Sequence, residues 1–384
     1  MNLNSGRYTT LLQTIDGFHF TGVPLIANSG TEMFPAGRAD DIGIYYFVPL
    51  VARVLDVSLQ TAIDIFLGSL IFLGLVIGIF GFFKLFKLPK ARLVSVVGLI
   101  LLAFFTFYRI SNVYVTFMFA VTATTPLFLA FSREKKDGFK SIFPWMIFLG
   151  VTLGYCNFIR SHSGTGMMIF LALWMILDRK LQWKDKGILI AVLLTFFLMP
   201  KLHFYILEKN MDKYFQKNLS DYKPYPDQHP FWHSAYIGLG YLPNSYGIEY
   251  IDSVAAQKVA SVDPKIGYCT VEYDQVLRQA TLEIVRKDPF FVLRTLVMKA
   301  LKLVGYFLIF ANLGILCFFY VRPPWREMLP IGAAGFFYAL PGILVMPSQA
   351  YVLGMISVAT VFGIFMIGLA LEKYMVGHKP KVFD

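Results

Sequence analysis

Nine long apolar segments, separated by short polar turns, occupy most of the chain after residue 60. Most of these segments have lengths that suit the hydrocarbon thickness of a bilayer, so each predicts a membrane-spanning helix. The segments cover residues 61–83, 93–108, 113–131, 143–159, 167–177, 187–207, 290–321, 328–346 and 351–371. The pattern predicts an all-α polytopic membrane protein with about nine transmembrane helices.

The same pattern predicts a single membrane domain over residues 1–384. Residues 1–60 form its first extracytoplasmic loop, in which YYFVPLVARVLDV has the spacing of an interfacial helix. Residues 61–207 and 290–384 hold the spanning helices. Residues 208–289, the only long hydrophilic stretch, are expected to fold as a large extracytoplasmic loop of short helices.

Lysine and arginine counts assign a side of the membrane to each turn. Loops retained in the cytoplasm are enriched in these residues, and alternate loops carry 17 of them, whereas the short turns between carry only Arg109 and Arg160. With nine spans in this orientation the N-terminus lies outside, and a tenth helix before residue 1 would place both termini in the cytoplasm. We therefore expect such a helix; the alternative is that the first helix downstream translocates the N-terminus.

Composition supports a membrane protein and excludes other classes. Hydrophobic residues make up 57% of the chain and charged residues 15%, against about 25% charged in soluble domains. The net charge of +11 lies in short clusters between apolar runs, which argues against nucleic-acid binding. Three cysteines without metal-type spacing indicate neither a disulfide framework nor a zinc site. The absence of paired cysteines in the outer loop suits a bacterial inner membrane.

Carboxylates are scarce, and the polar stretch before residue 47 holds the candidates for catalysis. Asp16, close to aromatic residues and to the membrane face, is the first candidate for a general base; a turn at Asp16-Gly17 is the plain alternative. Asp40 and Asp41 point about 100° apart in a helix. One of them is a candidate ligand for a divalent metal or a substrate hydroxyl, or else caps the helix that starts at Ile42.

An outer turn with sequence RSHSG joins the segments 143–159 and 167–177. Arg160 and His162, together with hydroxyls and glycines, are suited to binding a lipid-linked phosphate at headgroup depth. Interfacial snorkelling of the side chains is the alternative. Arg109, in the other basic outer turn, is a second candidate.

Three further basic residues follow the large loop. Arg294 and Lys302 share a helix face, with Lys299 close to it. They are candidates for holding a phosphate, or for contacting lipid headgroups.

The large loop contains the stretch HPFWHSAY. His229 and His233 have a spacing that places two imidazoles on one side of a helix. A zinc site would need a third ligand, so we favour acceptor binding by His229, Trp232, His233 and Tyr236 on an aromatic platform. Packing of the loop on the membrane face is the plain alternative.

These stretches together resemble the GT-C superfamily of membrane glycosyltransferases, in particular the group of protein mannosyltransferases and aminoarabinose transferases. TIDGFHF is similar to the start of the family's first outer loop and GRADDIGIYYFVPLVARVL to its closing helix. GVTLGYCNFIRSHSG is similar to the lipid-phosphate turn, and KDPFFVLRTLVMKALKLVGYF to the segment that re-enters the membrane.

The resemblance implies inverting transfer of a sugar from a polyprenyl-phosphate donor to a glycan, lipid or protein acceptor at the extracytoplasmic face. Asp16 would then activate the acceptor. Arg160 and His162 would stabilise the departing phosphate, where negative charge develops.

Two other functions compete with this one. An O-antigen ligase or polymerase-type transferase would place catalysis on His229 or His233 with an arginine. The other is a lipid or solute transporter, which would not be an enzyme. Two features argue against a transporter: the sequence has no internal repeat, and the spans from 61 to 207 have no charged residue near their middle.

Overall fold

The computed structural model describes residues 3, 5–37, 41–110, 112–133, 138–179, 181–220, 222 and 231–376. Within these residues the chain is almost entirely helical, with one short β-hairpin. Seven of the described helices are long and apolar enough to cross a bilayer, or eight if one sharply bent helix pair counts as a single span. The chain is therefore an integral membrane protein.

The first part of the chain forms two helices joined by the hairpin. Its elements are α1 (Ser5–Thr21), β1 (Ile26–Asn28), β2 (Met33–Pro35) and α2 (Ile42–Leu55). The strands pair antiparallel, with Ile26 opposite Pro35. Gly17 allows α1 to contact β1, because a Cβ at this position would lie 2.2 Å from the carbonyl oxygen of Ile26. The helix expected over residues 45–57 is present as α2.

The next seven helices form the first part of the bundle. They are α3 (Leu59–Leu85), α4 (Pro89–Phe105), which continues as a π-helical turn (Thr106–Ile110), α5 (Val113–Thr122), α6 (Thr125–Arg133), α7 (Gly138–Ile159), α8 (Ser163–Leu177) and α9 (Trp183–Asn218). The side chains of Ser58 and Asn112 cap α3 and α5 by accepting hydrogen bonds from backbone N–H groups in the first turn.

Glycines let α3 pack closely against α5 and α6. A Cβ at Gly74 would lie 2.3 Å from the carbonyl oxygen of Ala120, and Gly78 and Gly81 meet the backbone of the same region at similar distances. In a membrane, helices associate through this kind of close backbone approach, since burial of apolar surface provides little drive there.

The remaining elements build a small outer unit and the end of the bundle. They are α10 (Phe231–Gly238), a 3₁₀ turn (Leu239–Tyr241), α11 (Asp252–Ala260), α12 (Val271–Lys287), α13 (Pro289–Ala311), α14 (Leu313–Val321), α15 (Trp325–Leu344) and α16 (Leu353–Val376). The helices α10 to α12 share an apolar core of their own. This unit packs on the adjacent ends of α13 and α15.

Polar contacts join helix ends that the charge count assigned to one side. A side-chain nitrogen of Arg133, at the end of α6, lies 2.7 Å from a carboxylate oxygen of Glu327 near the start of α15. The ammonium of Lys373 donates a hydrogen bond of 2.8 Å to the carbonyl of Tyr320. Both contacts hold these helix ends together.

The expected count of about nine spans is not confirmed. The segment 167–177 belongs to α8, whose 15 residues reach about 22 Å, less than the hydrocarbon core of a bilayer. The segment 290–321 is not one straight helix, because α13 and α14 meet at Asn312 with a bend of 75°. In addition, α9 runs to Asn218, well into the stretch expected to be a loop.

Candidate functional site

The turn between α7 and α8 meets the start of α2 at one end of the bundle, which we call the Asp41 end. Asp41 is buried. The hydroxyl of Ser161 donates a hydrogen bond to Oδ1 of Asp41, and Nη1 of Arg160 lies 3.5 Å from Oδ2. Gly43 permits the approach, since a Cβ there would lie 2.5 Å from the carbonyl oxygen of Phe158. A buried carboxylate and a guanidinium thus meet here.

The surroundings of Asp41 distinguish between its two predicted roles. It occupies the N-cap position of α2, as the capping interpretation required, but its side chain makes no hydrogen bond to the start of that helix. The carboxylate instead faces the turn that carries Arg160. Asp40, the neighbouring candidate, lies outside the described residues.

Tyr114, at the start of α5, brings two arginines together. Its side chain is fully buried. Nη1 of Arg160 donates a 3.1 Å hydrogen bond to the phenol oxygen, and the guanidinium carbon lies 4.7 Å from the ring centre. The guanidinium carbon of Arg7, on α1, lies 4.5 Å from the same centre. An aromatic ring attracts cations, so Tyr114 stabilises the positions of both guanidinium groups.

The turn that carries Arg160 is held by hydrogen bonds from both sides. Oδ1 of Asn157 accepts the backbone N–H groups of Gly164 at 2.8 Å and Thr165 at 3.0 Å. The phenol of Tyr338, on α15, donates a 2.6 Å hydrogen bond to the carbonyl of Ser163. Because the backbone is fixed in this way, Arg160 has a defined position before any ligand binds.

His162 lies in the same turn. Its backbone has a positive φ of 68°, and its ring meets the ring of Phe337 edge-on, with 5.9 Å between centres. The side chain is exposed. It is therefore accessible to a ligand that also contacts Arg160.

An apolar groove begins one helical turn from the Asp41 end. Its cavity has a volume of about 680 Å³ and walls from α3, α5, α6, α7 and α8. Phe117 and Cys156 line it. Phe117 follows Tyr114 by about one turn of α5, and Cys156 precedes Arg160 by about one turn of α7. The groove extends to Asp178 at the far end of α8. It combines a long apolar wall with cations at one end.

Asp16 does not meet this group. It lies on the exposed side of α1, whereas Leu11, Thr14 and Phe18 on the opposite side are buried. Arg7 points toward the buried side and is nine residues away, about 13 Å along the helix axis. The structure therefore brings Asp41, and not Asp16, to Arg160. The turn suggested at Asp16-Gly17 was wrong, because both residues lie within α1.

The remaining basic candidates lie elsewhere. Arg109 is exposed at the end of the π-helical turn. Arg294 is exposed and lines a cavity of about 240 Å³ with Asp288 at the start of α13. Lys299 is buried, Lys302 is exposed, and both approach the end of α15 and the 3₁₀ turn rather than the turn with Arg160.

The candidates in the large loop are mostly part of its core. His233 is buried, with Nδ1 2.8 Å from the phenol oxygen of Tyr273 and Nε2 3.1 Å from Oδ1 of Asp252. Tyr236 is also buried, and burial raises its pKa above the usual value for tyrosine. Trp232 is half-buried. This geometry favours the packing interpretation for His233 and Tyr236.

Two predicted features of the site have no counterpart among the described residues. His229 lies outside them, so the His229–His233 pair stays a prediction. Within the described ranges, no three His, Cys, Asp or Glu side chains lie close enough together to hold a metal ion.

Sequence reasoning missed Arg7 and Tyr114. Tyr114 stands in an apolar run and looks like an ordinary core residue. Arg7 precedes the buried Leu11 by one turn of α1. This spacing places Arg7 on the buried face of the helix and could have identified it.

Comparison with known proteins found no match: no protein-family model, no curated protein and no solved structure is similar to this chain. Functional interpretation therefore depends on the geometry of the site and on the sequence patterns described above.

Proposed function

We propose that the protein is a membrane glycosyltransferase of the GT-C type. It transfers a sugar from a polyprenyl-phosphate donor to an acceptor with inversion, in the bacterial cell membrane, with the Asp41 end on the extracytoplasmic side. The observation that carries this proposal is the position of the Asp41–Arg160 pair one helical turn from the end of a long apolar groove.

Donor binding uses both parts of this arrangement. A polyprenyl tail requires continuous apolar surface, and the groove of about 680 Å³ offers it to the part of the tail nearest the headgroup. The phosphate requires fixed hydrogen-bond donors. Arg160 supplies a guanidinium group, and Arg7 contacts the same Tyr114 ring; guanidinium groups match phosphate geometry well.

Inverting transfer needs the base and the departing phosphate on opposite faces of the anomeric carbon, so the contact between Asp41 and Arg160 has to open when the donor binds. In the proposed reaction an acceptor hydroxyl attacks the anomeric carbon and gives its proton to Asp41. The bond from that carbon to the phosphate oxygen breaks, and the electron pair leaves with the phosphate. Arg160 and His162 stabilise the charge that develops there. Asp41 takes the role expected of Asp16, since Asp41 is the carboxylate beside the cations.

The acceptor remains a glycan, a lipid or a protein in this proposal. Among the aromatic side chains of α10, Phe231 is exposed and Trp232 is half-buried. Arg278 approaches Trp232 to 6.0 Å from its ring centre. They are the remaining candidates for acceptor contact once His233 and Tyr236 are assigned to packing.

The two competing functions have weaker support. A ligase-type reaction on His233 would require an imidazole nitrogen that is free to take a proton, whereas Tyr273 and Asp252 occupy both nitrogens. A transporter would be expected to place coupling charges near the middle of its spans. Arg133 and Glu327 form a buried pair, but at helix ends.

The test measures transfer of labelled sugar from a polyprenyl-phosphate donor in membranes with matched expression of each variant. We expect Asp41→Asn to lower the rate by about 10²–10⁴-fold, the usual effect of losing a general base. Asp16→Asn is the matched control and should retain the rate, because its carboxylate is exposed and distant from Arg160.

Other outcomes would redirect the assignment. Loss of transfer only in Asp16→Asn would return the base to α1. Loss only in His233→Gln, with folding intact, would favour the ligase-type reaction. No transfer by the unaltered protein with a broad set of donors would refute the glycosyltransferase proposal.

A further inference from the structure

A second apolar groove lies between α13, α15 and α16. Its cavity has a volume of about 400 Å³, within the size range of ligand pockets. Leu303 and Phe307 of α13 form one wall, and Gly332 and Ile343 of α15 form another. It shares no lining residue with the groove that begins near Arg160.

A buried ammonium lies just beyond one end of this second groove. Lys299 is one turn before Leu303 on α13, and its Nζ donates a 2.8 Å hydrogen bond to the carbonyl of Val345. Val345 follows the lining residue Ile343 by two positions. Lysine has three N–H donors, and within the described chain Val345 is the one hydrogen-bond acceptor found for Lys299.

Two further polar groups lie beside Lys299. Thr295 is one turn earlier on the same face of α13; it is fully buried, and its hydroxyl has no hydrogen-bond partner among the described residues. Lys302 is exposed. The ammonium groups of Lys299 and Lys302 lie 6.0 Å and 5.8 Å from the ring centre of Tyr241. Two cations and a buried hydroxyl without a partner thus lie on successive turns of α13 beside the apolar groove.

A purely structural role explains only part of this group. A cation stabilises the C-terminus of a helix, and Lys299 meets that description at the end of α15. Capping of α15 does not explain why Lys302 approaches Tyr241. It also does not explain the buried hydroxyl of Thr295, because a buried hydroxyl without a hydrogen-bond partner costs free energy.

We propose that the second groove binds a phospholipid with an anionic headgroup. The acyl chain lies between α13, α15 and α16, and the phosphate contacts Lys299, Lys302 and the hydroxyl of Thr295. Positive charge at the end of an apolar groove is complementary to such a lipid. This site goes beyond the proposed function, because it requires no transfer reaction.

The second groove and the turn of Arg160 lie on different sides of α15. Tyr338 and Phe337 face α8, through the hydrogen bond to Ser163 and the contact with His162. Gly335 and Ala339 instead line the second groove. A lipid in the second groove would therefore leave the groove near Arg160 open, and both can be occupied at once.

The test uses the full chain in lipid nanodiscs that contain a phospholipid with a photoreactive acyl chain. Parallel samples carry either phosphatidylglycerol or phosphatidylcholine as the photoreactive lipid, and crosslinked peptides are located by mass spectrometry. We expect crosslinks to α13 and α15 to favour phosphatidylglycerol. Lys302→Gln should reduce this preference about fivefold, the equivalent of about 1 kcal/mol for one lysine at a lipid surface. The matched control Lys201→Gln, an exposed lysine on α9, should retain it.

A second pair of variants tests the groove itself. Gly332→Leu places a side chain in the cavity, and its Cβ meets no atom within 4 Å, so the helix should form normally. It should abolish the crosslinks, whereas Gly187→Leu, on α9 and equally free of contacts, should not.

Three results would overturn the proposal. Equal crosslinking by the two lipids in the unaltered protein would exclude headgroup recognition, and unchanged crosslinking in Gly332→Leu would exclude the groove. Loss of the signal in Arg160→Gln would show that it comes from the other groove. Since none of these readouts depends on sugar transfer, failure of the proposed function leaves this test intact.

Discussion

The contact between Asp41 and Arg160 is central to the candidate site, and its strength can be estimated. The two charged atoms are 3.5 Å apart, and the side chains are 4% and 19% exposed. With an effective dielectric constant of about 20, their attraction is about 5 kcal/mol. Loss of hydration offsets much of this attraction. A net coupling of about 1–3 kcal/mol remains the expectation for such a pair.

A double-mutant cycle measures this coupling. The variants are Asp41→Asn, Arg160→Gln and the double variant, and the free energy of unfolding is obtained by titration with SDS in mixed micelles. Each single variant should lose about 3 kcal/mol, because it leaves the other charge of a largely buried pair without its partner. The double variant should lose less than the sum, because the second substitution removes a partner that is already lost. Asparagine can still accept the hydrogen bond from Ser161.

The matched control combines Asp16→Asn with Arg160→Gln. Asp16 is exposed and distant, so these two effects should add to within about 0.5 kcal/mol. If the Asp41–Arg160 cycle were additive to the same precision, the two side chains would not interact in the folded protein. The assignment of Asp41 to the site would then be refuted.

Two more predictions concern stability. Gly164→Ala should destabilise the protein by about 1–3 kcal/mol, as overpacking does, because the new Cβ would meet the carbonyl oxygen of Leu153. The control Gly187→Ala should leave stability unchanged, because its Cβ meets no atom within 4 Å. Thermal unfolding of the two variants compares these effects. Burial raises the pKa of Tyr273 above the usual 10.0. The unfolded chain therefore loses this proton first, and the free energy of unfolding should fall as pH rises above 10. In Tyr273→Phe the free energy of unfolding, measured on both sides of pH 10, should fall less steeply with pH. An unchanged dependence on pH would show that Tyr273 does not cause the fall.

Apolar run length predicted the positions of most helices in the bundle. What the runs could not show was where a helix breaks inside apolar sequence. Asn312 adopts a positive φ of 45° and caps α14, so α13 and α14 meet at an angle. The break between α5 and α6 lies directly before Pro126, which has no backbone N–H to continue the hydrogen bonds of α5. Hydropathy averaged over a window does not record either event.

The site was predictable in part. Positive charge in an outer turn drew attention to Arg160, and the acidic stretch before residue 47 contained Asp41. The alternation of the spans placed both on the same side. Sequence alone could not choose between Asp16 and Asp41, because the choice depends on which face of α1 packs against β1 and α2. That face is set by contacts such as Gly17 against Ile26, which form only when the chain turns back on itself after Thr21.

The position of α15 links the two grooves. On one side, Tyr338 packs against Gly166 of α8 and Gly354 of α16, where any larger residue would meet its ring, and its hydroxyl holds the carbonyl of Ser163. On the other side, the same helix forms a wall of the second groove and ends at the carbonyl that binds Lys299. A lipid bound at Lys299 and Lys302 would therefore stabilise the helix that positions the turn of Arg160. The second groove and the turn of Arg160 thus contact two sides of the same helix.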